Sequence, residues 1–126
     1  MSKTNKKLLI VEDDKSFLWI LRQSFEDEGL SVFFAEDGEE GLNMAIKEKP
    51  DLILLDILMP KMDGITVAKK LKENGTEAYI MFLTNFKDIE HVSQAVEVVR
   101  ETDYIVKSDI HIDQIINRVK NKLAIQ

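Results

Sequence analysis

The stretch Asp51-Leu52-Ile53-Leu54-Leu55-Asp56-Ile57-Leu58-Met59-Pro60-Lys61-Met62-Asp63-Gly64 decides the fold. Leu52 to Leu55 is a short, continuous apolar run. Such a run suits a strand buried on both faces, because an alternating pattern would leave one face wet. The run ends in one carboxylate, Asp56. Met59-Pro60 turns the chain, and Asp63-Gly64 stands where a helix can begin. A carboxylate at the C-terminal end of a buried strand lies where open α/β sheets place their ligands. The competing reading makes Asp56 a simple strand or turn cap, and the remaining sequence decides between the two.

Working outward, Leu8 to Val11 is the first buried-strand candidate, followed at once by Glu12-Asp13-Asp14. Lys15 to Glu28 reads as a helix with Phe17, Leu21 and Phe25 on its inward stripe and Gly29 as its stop. Ser31 to Phe34 is a second strand, and Asp37 to Lys49 a second helix with Leu42, Ala45 and Ile46 inward, closed by Pro50. After the central strand, a third helix spans Ile65 to Glu73 and ends at Asn74-Gly75. Tyr79 to Leu83 is the fourth strand, with Thr84-Asn85 after it, and Lys87 to Val99 the fourth helix. Asp103 to Val106 is the fifth strand, followed by Lys107-Ser108, and Ile110 to Leu123 the fifth helix. In that last helix Ile112, Ile115, Ile116, Val119 and Leu123 keep helical spacing. Five strands alternating with five helices through short connections imply an α/β fold, a parallel sheet with helices on both faces. At 126 residues, with no repeat, linker or low-complexity tract, the whole of 1–126 is expected to form a single domain with its core at about 7–123.

Composition narrows the function. A net charge of −6 argues against direct nucleic-acid binding and against anionic membranes, which attract basic faces. The absence of cysteine removes disulfides, thiolate metal sites and cysteine nucleophiles. No apolar run approaches membrane-spanning length, and the basic N-terminus is followed by too few apolar residues for a signal peptide, so membrane insertion is not expected and a cytoplasmic location is. His91 and His111 lack partners at ligand spacing and read as surface residues. Lys69, Lys70 and Lys72 read as a solvated helix face, and so does the Glu26-Asp27-Glu28 run. Met59, Met62 and Met81 read as core or turn packing. There is no Gly-rich phosphate loop and no dinucleotide fingerprint, which argues against nucleotide binding.

In a parallel sheet the strand C-termini share one edge. Glu12, Asp13, Asp56, Thr84 and Lys107 therefore become neighbours. Clustered carboxylates raise one another's pKa unless a cation neutralises them. A hard divalent ion such as Mg2+ suits an all-oxygen set and keeps several of its waters. With such an ion in place, Asp56 could receive a phosphoryl group as nucleophile, Lys107 could carry charge on its oxygens and Thr84 could donate a hydrogen bond.

Four motifs at four strand ends, I-V-E-D-D (10–14), D-I-L-M-P-K-M-D-G (56–64), F-L-T (82–84) and D-Y-I-V-K (103–107), make the chain resemble the receiver domain of two-component response regulators, chemotaxis regulators among them. The resemblance runs from about Lys7 to Leu123. It implies a flavodoxin-like five-stranded sheet in the order 2-1-3-4-5. It also implies that Asp56 accepts a phosphoryl group from a histidine kinase or a histidine phosphotransfer protein. Glu12, Asp13, Asp56 and the Leu58 backbone carbonyl would hold Mg2+ (or Mn2+), and Lys107 would contact the phosphoryl oxygens. Thr84 and Tyr104 would act as the switch that passes the signal to an output protein. Leu18 and Trp19, off the inward stripe of the first helix, would belong to the face that docks the kinase or phosphotransfer protein.

The chain departs from the family pattern in three respects. Ser108 stands where proline, commonly with a cis bond, usually follows the lysine, so this peptide is either trans in a remodelled loop or strained. Asn85 replaces a small residue after the switch hydroxyl. Leu58 and Phe86 stand at positions that in the family flank the path of the hydrolytic water, and as apolar side chains they cannot orient it by hydrogen bonding, which implies slow autodephosphorylation. The expected function is a stand-alone receiver that catalyses its own aspartyl phosphorylation and dephosphorylation without turning over a separate substrate. The alternatives are a non-phosphorylated pseudo-receiver binding module, a receiver cut from a longer regulator, or a phosphatase with an aspartyl nucleophile. Ile57 and Leu58 argue against the phosphatase, because they occupy the places where its second carboxylate would stand.

Overall fold

A computed structural model describes residues 5–85 and 103–125, with the side chains of residues 103 and 109 left aside. Five parallel strands, β1 (Lys7–Val11), β2 (Ser31–Ala35), β3 (Leu52–Asp56), β4 (Tyr79–Thr84) and β5 (Asp103–Val106), form one sheet in the order β2-β1-β3-β4-β5. The helices among the described residues are α1 (Lys15–Asp27), α2 (Gly38–Glu48), α3 (Gly64–Glu73) and the C-terminal α4 (Ile112–Leu123). The helix expected over Lys87 to Val99 lies outside the described residues, as do Phe86 and His91.

The continuous apolar strands are buried on both faces because each face carries helices. Leu9, Val11, Ile53, Leu55, Ile80 and Phe82 pack with α2 and α3 in one core cluster. Their neighbours Leu8, Ile10, Leu52, Leu54, Met81 and Leu83 pack with α1 and α4 in the other. Alternate residues of a strand point to opposite faces, so one apolar run feeds both clusters. Each fully buried leucine or isoleucine contributes about 1.5–3 kcal/mol, and such contacts hold the helices to the sheet.

Asp14, Asp37 and Asp63 cap α1, α2 and α3, each accepting backbone N–H groups of the first turn. That satisfies donors the helix itself leaves open. Two close approaches set the depth of the helices against the sheet. A Cβ on Gly41 would stand 2.7 Å from a Val11 methyl, and one on Gly64 would collide with the backbone carbonyl oxygen of Asp56. The second contact lets the start of α3 press on the end of β3, directly behind the candidate site.

Four sequence expectations are corrected. Leu18 is not a surface residue: it is 4% exposed and packs in the α1–α4 core with Leu21 and Phe25. Positions 18, 21 and 25 (i, i+3, i+7) form the buried stripe, and Phe17 is displaced to its half-buried flank. Ile46 faces outward at 44% exposure, because α2 turns Gly38, Gly41 and Ala45 to the sheet. Glu28 is not simply solvated, since its carboxylate pairs with Lys120 of α4 at 2.6 Å. The last helix also starts later than expected. Lys107–Asp109 forms a 3-10 turn, Ile110 is extended, and His111, exposed, precedes the first turn with its N–H donating to Gln114 Oε1. No cis peptide occurs among the described residues, so the Lys107-Ser108 bond is trans.

Candidate functional site

The sheet register assembles the site. Val11 lies beside Leu55 and Asp56 beside Leu83, while Thr84 pairs with Val106. The next residues out from β1 and β5 are Glu12 and Lys107. One row along the C-terminal edge therefore holds Glu12, Asp56, Thr84 and Lys107, although nearly the whole chain separates the first from the last. Edges of this kind are the usual ligand crevice of open parallel sheets.

Glu12 and Thr84 are fully buried and Asp56 is 3% exposed, whereas Asp13 is exposed. Carboxylate oxygens of Glu12, Asp13 and Asp56 lie within 4.8 Å of one another. The Lys107 ammonium reaches into this group, 2.6 Å from Glu12 Oε1 and 3.3 Å from Asp56 Oδ2. The other Glu12 oxygen accepts the Asp14 N–H at 3.0 Å. Asp14 in turn receives the N–H groups of Ser16 and Phe17 on its own carboxylate. Thr84 directs its hydroxyl to the Asn85 carbonyl oxygen at 3.0 Å.

These positions carry an electrostatic cost. Burial, and then the negative charge of Glu12, push the Asp56 carboxyl up to about 8, against the pull of Lys107. Burial works to lower the Lys107 pKa, but its hydrogen bond to Glu12 and the charges of Asp56 and Glu12 outweigh that and hold it above the ordinary lysine value. Among the described residues the buried carboxylates of Glu12 and Asp56 share the Lys107 ammonium, and perturbed groups of this kind gather at functional sites. The donor set is all oxygen, which fits a hard divalent cation and not a soft one.

The remaining sequence candidates are placed as follows. Leu58, two residues beyond Asp56, exposes its side chain at 48%. Tyr104 is 40% exposed, and its backbone oxygen accepts a hydrogen bond from Arg118 of α4. Trp19 is 59% exposed on α1 beside the exposed Ile20, so the apolar pair on that surface is Trp19 and Ile20, with Leu18 turned inward. Ile20 went unremarked in the sequence, although it adjoins Trp19. The linking role of Asp14 was also missed; a short acid just ahead of an apolar periodic run is an N-cap signal that could have found it.

A family model described as the response regulator receiver domain matches residues 8–120, and the chain belongs to that family. Among curated proteins it is similar to sporulation initiation phosphotransferase F of Bacillus subtilis (strain 168), 32% identical over 122 residues that cover 97% of each chain. It is also 46% identical, over 80 residues, to the alkaline phosphatase synthesis transcriptional regulatory protein PhoP of the same strain; that match covers 64% of this chain and 33% of PhoP. Among solved structures it resembles the CheX–CheY complex with BeF3 and Mg2+ from Borrelia burgdorferi, at 28% identity and a TM-score of 0.82 over 94% of this chain and 89% of that one. The fold is thus the flavodoxin-like receiver fold, and the relatives place the chain among two-component signalling proteins. No helix among the described residues is long and apolar enough to cross a membrane.

Proposed function

We propose that the chain is a phosphoryl-accepting receiver in which Asp56 is the acceptor, and that it works as a single domain. The observation that carries this reading is the buried Asp56 carboxylate flanked by Glu12, Asp13 and the Lys107 ammonium. Glu12, Asp13 and Asp56, with the backbone carbonyl of Leu58, would hold Mg2+ or Mn2+. When bound, that ion supplies neutralisation of the carboxylates and of the incoming phosphoryl charge.

An Asp56 oxygen attacks the phosphorus of a phosphohistidine. The new O–P bond forms as the N–P bond breaks, and the electron pair leaves with the imidazole. Lys107 then transfers its contact from the carboxylates to the phosphoryl oxygens, where charge accumulates. The Thr84 hydroxyl exchanges the Asn85 carbonyl for a phosphoryl oxygen. Tyr104, on the adjoining strand opposite Phe82 and two residues before Thr84's partner Val106, changes its rotamer with that exchange. Contacts that exist only in the phosphorylated state shift the population toward the signalling form.

The proposed donor is a histidine kinase or histidine phosphotransfer protein that docks on the α1 face bearing Trp19. The output is contact with a further protein or onward transfer of the phosphoryl group, in the cytoplasm, without turnover of a separate substrate. The similarity to a phosphotransferase over 97% of both chains supports a single-domain mode of action, and the BeF3–Mg2+ complex of the Borrelia protein supports the cation.

Intact-mass spectrometry after incubation with acetyl phosphate or phosphoramidate tests the reading. A Mg2+-dependent gain of one phosphoryl group, lost in Asp56→Asn, is the expected result. No gain in any condition would overturn it and leave a pseudo-receiver that acts by binding alone.

A further inference from the structure

The active-site lysine has a contact outside the acidic cluster. The Phe17 ring, half-buried on the flank of α1, lies with its centroid 5.4 Å from the Lys107 ammonium. That is within the distance at which an aromatic face attracts a cation. Only 16% of the Lys107 side chain remains exposed.

The ring does not reach this position by chance of rotamer alone, because a closed circuit of contacts places it. Glu12 binds Lys107 through Oε1 and the Asp14 N–H through Oε2. The Asp14 carboxylate accepts the Phe17 N–H at 3.2 Å and so sets the first turn of α1. Phe17 faces Lys107 from that turn. The same carboxylate that holds the ammonium therefore also anchors, through Asp14, the backbone that carries the ring. On the other side the lysine begins a 3-10 turn with a trans peptide to Ser108, so no proline ring constrains its backbone.

We propose that Phe17 is the positioning residue for Lys107: its ring face holds the ammonium over the acceptor edge and shields it from water, in the place where proline constrains the loop elsewhere in the family. This rests on the reading of Lys107 as the phosphoryl contact. In this role the ring acts through the lysine and not on the reacting atoms.

The test compares wild type with Phe17→Leu, which keeps apolar cover without the π face, and with Phe17→Trp, which restores a face. Two readouts are needed. The first is the rate of phosphorylation by phosphoramidate with Mg2+. It should fall about two- to five-fold in Phe17→Leu and recover in Phe17→Trp. In a Lys107→Ala background Phe17→Leu should have no further effect. The second readout needs no phosphorylation: the Lys107 ε-methylene proton shifts, displaced by the ring current in wild type, should return to ordinary lysine values in Phe17→Leu and be displaced again in Phe17→Trp.

A wild-type rate in Phe17→Leu, or an equal loss in the Lys107→Ala background, would overturn the proposal. So would undisplaced Lys107 shifts in wild type. Failure of wild type to take up a phosphoryl group would instead overturn the acceptor reading, and the proton shifts alone would then decide whether Phe17 positions the lysine.

Discussion

Replacing Asp56 by asparagine should make the metal-free protein more stable at neutral pH. The Asp56 carboxyl is raised from 3.8 to about 8 by burial and by Glu12. The folded state therefore binds a proton more tightly than the unfolded chain does. The stability this gives is fully present below pH 3.8 and is lost as pH rises through about 8. At pH 7 the carboxylate has given up roughly three pH units of that linkage, an upper bound of about 4 kcal/mol. Relaxation of a protein around a newly ionised buried group reduces such penalties, and about 1–2 kcal/mol is expected to remain. Asparagine fills the same volume, carries no charge and can donate a hydrogen bond to Glu12. For a domain of this size that gain corresponds to a rise in Tm of about 4–8 °C. The assay is thermal unfolding of wild type and Asp56→Asn in EDTA at steps from pH 4.5 to 8. The Tm difference should be smallest at the acid end and grow with pH. Saturating Mg2+ should narrow or reverse it, because an ion held by the native wild-type cluster would stabilise it by mass action. Parallel Tm profiles for the two proteins across this range would refute the reasoning, as would a carboxyl 13C titration of Asp56 near 4.

If Asp56 is the acceptor as proposed, loss of its phosphoryl group should be slow, because Leu58, exposed two residues further on, cannot orient a water by hydrogen bonding. Decay followed by intact mass after removal of the phosphodonor should take many minutes to hours, and a half-life of seconds would contradict it. Gly64→Ala should be strongly destabilising, by about 1–3 kcal/mol or more, since its Cβ would collide with the Asp56 backbone carbonyl oxygen and force α3 away from β3. Chemical denaturation should show this as a lower midpoint at unchanged slope, and a variant as stable as wild type would mean that the α3–β3 approach has slack.

Much of the architecture was legible in the chain because it depends on local pattern. The runs Leu8 to Val11 and Leu52 to Leu55 are too short for helices and too uniformly apolar for a half-exposed sheet, and each became a strand buried on both faces. The residues that end those runs were legible for the same reason: a parallel sheet brings its strand ends to one edge whatever the details. What the sequence by itself determined was therefore the sheet, its edge, and the set Glu12, Asp13, Asp56, Thr84 and Lys107 along it.

Tertiary structure decided the contacts across that edge and the faces of the helices. In α1 the stripes through 17, 21 and 25 and through 18, 21 and 25 both have helical spacing. Packing against the sheet and α4 selected the second, burying Leu18 and leaving Phe17 beside Lys107. In α2 the close approach at Gly41 turned the small residues inward and left Ile46 outside, an outcome that hydrophobicity alone points away from. The 2.6 Å pairing of Glu12 with Lys107 and the raised pKa of Asp56 depend on strand register, on burial and on the turn that replaces a proline-bearing loop. Pattern along a chain specifies which residues share an edge; distances between them, and the electrostatics that follow, exist only once the strands and helices have packed.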